Sequence, residues 1–149
     1  MNKDKKIIKQ IIELFNETIK LSQVNKSELN SNESLRENLS LKFRKIGKLG
    51  QSISPQLVLN YQNNFFWGLF VSLENWTIDK NDDVSWELIK GYTHKGVKYD
   101  SLKNHKNNLE KIYNIEFEQV LNSEIKNSLN TKKNKSGTKI IYTPMGNKR

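Results

Sequence analysis

Three acidic side chains and one histidine are the residues of this chain whose chemistry could support catalysis. Asp79, Asp83 and Glu87 follow one another closely, and His94 comes next in a glycine-flanked loop, GYTHKG. Mg²⁺ is commonly held by one or two carboxylates together with substrate phosphates, and histidine is the most frequent general acid or base. A small metal-dependent or histidine-based nuclease is therefore one hypothesis, and these four residues would form its site.

The spacing of these acids does not match a known metal motif. An EF-hand loop that began at Asp79 would need Gly at its sixth position and Glu at its twelfth, where the chain has Val84 and Lys90. An acidic turn that caps a helix and a surface histidine are simpler interpretations, with His94 a better catalytic candidate than His105. We expect no metal, no cofactor and a non-enzymatic protein.

Uncompensated positive charge is a stronger signal. The 149 residues carry 25 Lys and Arg against 16 Asp and Glu, a formal net charge of +9. Four bases lie within LKFRKIGK, residues 41–48, and the chain from residue 126 to its end has bases but no acid. Such blocks often bind a polymer of opposite charge, and the phosphate backbone of nucleic acid is the common one. The predicted phosphate contacts are Lys42, Arg44, Lys45, Lys48, Lys132, Lys133, Lys135 and Lys139.

Aromatic side chains concentrate in NNFFWGLFVSLENW, residues 63–76. Phe65, Phe66, Trp67 and Phe70 cannot all face one core from a single helix, because consecutive helical positions are about 100° apart. Tryptophan is enriched at protein interfaces. Either neighbouring elements surround this segment, or part of it meets a partner protein or a second copy of the chain.

The same segment is too short to cross a membrane. Its apolar stretch, residues 65–73, has large apolar side chains at seven of nine positions, whereas a transmembrane helix needs about 20 apolar residues. The N-terminal isoleucines are interrupted by Lys9, Gln10 and Glu13, which a signal peptide would not tolerate. We therefore predict a cytoplasmic protein with no membrane partner.

Helical periodicity predicts the architecture. Helices are predicted over residues 4–24, from Asn32 or Ser34 to Gly47 or Gly50, from Ser54 to Trp76, and over 82–90, 101–113 and 115–129. A buried strand at 65–73 is the alternative to the second half of the long helix, and 91–101 is predicted as a loop or small hairpin. The fold is therefore predicted to be mainly α. It is a small bundle of about five helices around a central apolar helix in residues 1–129, with a basic, mobile C-terminal tail, 130–149.

These features predict a small, basic, non-enzymatic nucleic-acid-binding protein of the kind that a phage or mobile element encodes. The first alternative is a protein–protein interaction module, such as an immunity protein, an antitoxin or a host-enzyme inhibitor, and the second is the nuclease. A continuous positive stripe from residues 42–48 to the tail would favour nucleic acid. An exposed patch around Trp67 or Trp86 would favour a protein partner.

Overall fold

The structure, a computed structural model, describes residues 2–118 and confirms a mainly helical fold. This part of the chain contains seven α-helices, an antiparallel hairpin of two short strands and a final π-helical turn. The elements are α1 (Lys3–Leu21), α2 (Lys26–Ser31), α3 (Glu33–Gly50), α4 (Pro55–Asn60), α5 (Gly68–Leu73), α6 (Asp83–Lys90), β1 (Tyr92–His94), β2 (Val97–Tyr99), α7 (Leu102–Tyr113) and the π turn (Asn114–Glu118).

Short polar side chains start most of the helices. The Asn2 side chain accepts a hydrogen bond from the backbone N–H of Asp4 at 2.8 Å, which satisfies one of the free donors at the start of α1. The same role is played by Asn25 for α2, Asn32 for α3, Ser54 for α4, Asp82 for α6 and Ser101 for α7. Each such cap contributes about 1 kcal/mol to stability. The caps therefore place the helix boundaries where the sequence has Asn, Ser or Asp.

The core lies along α1 and α3. Helix α1 packs against α3 on one side and α7 on the other, and α3 also packs against α5. Helices α1 and α3 run antiparallel, because Asp4 contacts Ser54 at one end of the pair and Glu17 contacts Lys42 near the other. The fully buried apolar side chains are Ile8, Ile11, Phe15, Leu39, Phe43, Ile46, Leu73, Leu102 and Leu109.

The prediction of one continuous helix from Ser54 to Trp76 is wrong, and so is the alternative strand. Helix α4 ends at Asn60, turns follow, and α5 begins at Gly68. A straight helix would spread the aromatic side chains around its circumference, whereas the break buries Phe65 and Phe70 and leaves Phe66 59% exposed. No single apolar helix occupies the centre of the described fold, because α1 and α3 share that position.

Other boundaries differ in smaller ways. Helix α2 lies between the first two predicted helices, where no element is predicted, and α1 ends at Leu21 rather than residue 24. The small hairpin predicted within 91–101 is confirmed, with Thr93 paired to Lys98. The helix predicted at 115–129 falls partly in the π turn, and its remainder and the predicted tail at 130–149 lie outside the described residues.

Two glycines of α3 allow α5 to approach closely. A Cβ at Gly47 would lie 2.4 Å from the backbone nitrogen of Glu74 and 2.6 Å from the carbonyl oxygen of Phe70. A Cβ at Gly50 would lie 2.0 Å from Cγ of the Phe70 ring. Non-bonded heavy atoms do not lie this close together, so a Cβ at either position would force the backbone or the ring to shift. Any larger residue at either position would push α5 away from α3.

We expect Gly47→Ala to destabilise the protein. Alanine is favoured over glycine in a helix by about 1 kcal/mol, but overpacking against backbone costs about 1–3 kcal/mol or more. The net result should be a loss of about 1–2 kcal/mol in the free energy of unfolding, measured by urea denaturation. Gly68→Ala is the matched control, since its nearest neighbour is the exposed ring of Phe66. Equal effects of the two changes would contradict this account of the α3–α5 contact.

Candidate functional site

An open apolar groove of about 470 Å³ lies between the end of α3, α4 and the start of α5. Phe70 and Trp67 form its aromatic side, and Val58 and Leu59 of α4 form the aliphatic side. Leu59 is 59% exposed although it is a large apolar residue. The remaining lining residues are Gly50, Gln51, Ile53, Pro55 and Gln62. The groove therefore presents apolar side chains to solvent without a single formally charged residue in its lining.

The two ends of α4 are fixed by polar contacts. At the start, the Asp4 carboxylate accepts hydrogen bonds from the backbone N–H of Ser54, at 2.9 Å, and from the Ser54 hydroxyl. At the end, the Tyr61 hydroxyl donates to Glu116 at 2.8 Å. Burial and this bond to a carboxylate raise the pKa of Tyr61, so the phenol stays protonated and remains a donor. These contacts hold α4 as one wall of the groove.

Trp67 is held in the opposite wall by its own polar atom. Its indole N–H donates to the carbonyl oxygen of Tyr61 at 3.0 Å, so the polar edge of the ring is used inside the protein. Its ring packs edge-on against Phe65 with centroids 5.1 Å apart. Gln51 closes the far end by donating to the Glu74 carboxylate at 2.8 Å. The aromatic surface left to the groove is therefore apolar and fixed in orientation.

The phosphate contacts predicted on α3 divide into two pairs. Arg44 donates to the carbonyl oxygen of Trp76 at 2.8 Å, and Lys42 pairs with Glu17 at 2.8 Å. Lys42 thereby lowers the pKa of Glu17, chiefly through this hydrogen bond. Lys45 and Lys48 are exposed on the outer face of the helix. Two of the four bases thus have structural partners.

The remaining predicted phosphate contacts lie outside the described residues. They are Lys132, Lys133, Lys135 and Lys139. Residues 2–118 contain 18 Lys and Arg and 15 Asp and Glu. Most of the net charge of +9 therefore belongs to the part of the chain beyond Glu118. The positive stripe from residues 42–48 to the tail therefore stays a prediction.

The predicted nuclease residues lie on different structural elements and have different local roles. Asp83 pairs with Lys26 and so links α6 to α2, while Asp79 is exposed in the preceding turn. Glu87 is half-buried on α6, and His94 ends β1, opposite Val97. Among the side chains that the structure describes (residues 2–91, 95–96 and 100–118), no group of three His, Asp or Glu residues could hold a metal ion. The neighbouring Asp82 confirms the predicted helix cap, since it accepts from the backbone N–H of Ser85.

Two features of this region were not predicted from the sequence. Leu59 lies off the apolar stripe of its helix, and its exposure becomes informative only once the groove is seen. His105 was ranked below His94, yet it is 5% exposed and packs against Phe65 and Phe66. The regular spacing of His105 with Leu102, Leu109 and Ile112 on α7 is the signal that indicates its burial.

Trp86 does not form a second open apolar site. It is half-buried, and the Lys90 ammonium lies 5.1 Å from its ring centroid. The same ammonium donates to the carbonyl oxygen of Ser22 at 3.0 Å.

In the described part of the chain, no helix is both long and apolar enough to cross a membrane.

Replacing Arg44 and Lys45 should separate structural from surface charge. Arg44→Ala leaves the partly buried carbonyl of Trp76 without its donor, and loss of a hydrogen bond from a charged group costs about 1.5–3 kcal/mol. We expect a loss of about 1–2 kcal/mol in the free energy of unfolding. Lys45→Ala removes the same charge from an exposed site and should change that value by less than about 0.5 kcal/mol. Equal losses in the two variants, measured by urea denaturation, would show that the Arg44 contact contributes little.

No protein-family model matches this chain, no curated protein matches it, and no solved structure matches it. Its function is therefore inferred from the groove and from the charges around it.

Proposed function

We propose that this protein is a non-enzymatic protein-binding module that accepts an amphipathic helix of a partner protein in the groove between α3, α4 and α5. The observation that carries the proposal is the apolar, uncharged lining with Leu59 and Trp67 at its surface. Charged residues make up 28% of the chain. A groove that lacks them altogether therefore suits an occupant whose contacting face is also uncharged and apolar.

The shape of the groove favours a polypeptide over a small ligand. Small-molecule sites bury about 70–90% or more of the ligand and are correspondingly enclosed. Here the space of about 470 Å³ is largely open to solvent. An occupant would cover the open side itself, which a helix laid along the groove does with its polar face outward. Burial of the exposed Leu59 side chain would contribute about 1 kcal/mol to binding.

The walls determine the mode of recognition. They are formed largely by helices and turns, whose backbone groups are hydrogen-bonded within the protein. A partner strand would find no free sheet edge there, so side chains must provide the contacts. Insertion of apolar residues at helical spacing i, i+3, i+4 and i+7 is the established form of recognition for such grooves.

Nucleic-acid binding remains a prediction that rests on charge. On α3 it depends on Lys45 and Lys48, because Lys42 and Arg44 have partners within the protein. Its other predicted contacts lie beyond Glu118. Such binding would weaken steeply with salt, whereas apolar binding in the groove would persist. Salt dependence therefore distinguishes the two functions.

We expect the full chain to select helical peptides from a displayed library patterned with apolar residues at i, i+3, i+4 and i+7. Selection at 0.5 M NaCl after nuclease treatment removes electrostatic and nucleic-acid-mediated capture. The enriched peptides should bind Leu59→Glu at least about tenfold more weakly than the unchanged protein, because a buried carboxylate would face apolar walls. Affinities are measured by fluorescence anisotropy of the labelled peptides.

Leu41→Glu is the matched control. Leu41 is 61% exposed on α3, nine residues before Gly50 and so about 13 Å away along the helix axis. Equal weakening by both changes, or no enrichment at all, would overturn the proposal. A labelled duplex or single-stranded RNA that binds at 50 mM salt, is lost at 0.5 M and ignores Leu59→Glu would support nucleic-acid binding instead. A dimer that only Leu59→Glu dissociates would identify a second copy of the chain as the occupant.

A further inference from the structure

His105 is a buried imidazole in an aromatic environment. It lies on α7 with 5% of its surface exposed, and its Nδ1 has no hydrogen-bond partner among the described residues. Its ring is 6.1 Å from that of Phe65 and 6.4 Å from that of Phe66. A neutral imidazole is tolerated there as a largely apolar ring. A protonated one would place a positive charge in a buried site and leave the Nδ1–H without an acceptor.

Phe65 connects this histidine to the groove. Its ring is stacked on Phe70 with centroids 5.3 Å apart and lies edge-on to Trp67 at 5.1 Å. Phe70 and Trp67 are the two aromatic residues that line the groove. The aromatic layer of His105, Phe65, Trp67 and Phe70 is therefore continuous. A displacement of Phe65 would reach both aromatic residues of the groove wall.

Few charges act on His105. Asp100, just before α7, is the described charged group that raises its pKa, and burial outweighs it, so that the net pKa of His105 is lowered. The segment at 65–66 contributes only aromatic rings. Several titratable groups on α7 and on the elements packed against it have partners within the protein. Lys5 of α1 pairs with Glu118, and Lys106 pairs with Glu110 on α7 itself. Glu116 of the π turn accepts from Tyr61, Asp83 of α6 pairs with Lys26, and Lys90 of α6 donates to Ser22, while Glu87 is half-buried.

We propose that His105 makes the groove pH-sensitive: its protonation displaces Phe65 and thereby disorganises the wall formed by Trp67 and Phe70. This inference rests on the proposed function, because the groove matters only if a partner occupies it. Partner binding favours the ordered wall and hence the neutral imidazole. Acidification below neutral pH should therefore weaken binding.

Proton linkage determines the direction in which stability changes with pH. Burial holds the native pKa of His105 below its ordinary value of about 6.5. As the pH falls through about 6.5, the unfolded chain takes up a proton that the native protein does not, so the native state loses stability. The loss stops growing once the pH is below the native pKa. A partner that lowers the pKa of His105 by one unit would bind about tenfold more weakly to the protonated form.

The coupling is tested without a partner by NMR of the full chain. The protein has three tryptophans and therefore three indole N–H signals. As the pH is lowered from 7.5, the Trp67 signal should shift with the midpoint of the His105 imidazole signal. The Trp76 indole, which donates to Ser85 at 2.7 Å, should not follow that midpoint. His105→Leu should remove the Trp67 transition, and His94→Gln should leave it in place.

The unchanged protein alone decides the outcome if His105→Leu does not fold. A Trp67 signal that stays constant down to the pH at which the protein unfolds, or that moves with His94, would overturn the proposal. If groove-selected peptides exist, their affinity should also fall with the same midpoint. A failure to select any peptide would contradict the proposed function and leave the NMR test of the aromatic layer unaffected.

Discussion

The close approach of α5 to α3 is the constraint on which the rest of the structure depends. It requires glycine at positions 47 and 50, because the Phe70 backbone and ring occupy the space where a Cβ would lie. With α5 in this position, Phe70 lines the groove and Leu73 is buried in the core. The same contact between two helices therefore produces both the buried interior and the open apolar surface next to it.

The aromatic residues are used in a graded way from core to surface. Phe65 and Phe70 are buried, Trp67 is half-buried with its N–H bonded internally, and Phe66 is mostly exposed. Stacked and edge-on ring pairs are worth about 0.5–1.5 kcal/mol beyond their buried area. A layer of this kind holds the groove wall in one arrangement, and it also transmits a change at His105 to the groove.

Several charged residues of the described chain connect elements of the fold. Arg44 joins α3 to the turn after α5, Lys26 joins α2 to α6, and Lys90 joins α6 to the end of α1. A sequence rich in lysine therefore need not fold into a surface with a comparably strong positive charge. In residues 2–118 acidic and basic side chains are nearly balanced, and the groove has no charged residue in its lining.

By itself, the sequence determined the helical class and several boundaries, because these depend on local interactions. Asn32, Asp82 and Ser101 are short polar residues that satisfy free backbone donors within their own turn, and the Ser54–Pro55 pair starts α4 for the same reason. The stripe of Leu39, Phe43 and Ile46 reports its buried face through helical spacing alone.

Only the tertiary structure decided where the long apolar segment breaks and what its aromatic residues face. Periodicity is the same for one helix or for two helices joined by a turn, and the break depends on Trp67 bonding to Tyr61 and on α5 fitting against Gly47. The exposure of Leu59 and the partners of Arg44 depend on residues distant in sequence. Such contacts leave no local sequence pattern, so the groove could not be predicted from the sequence alone.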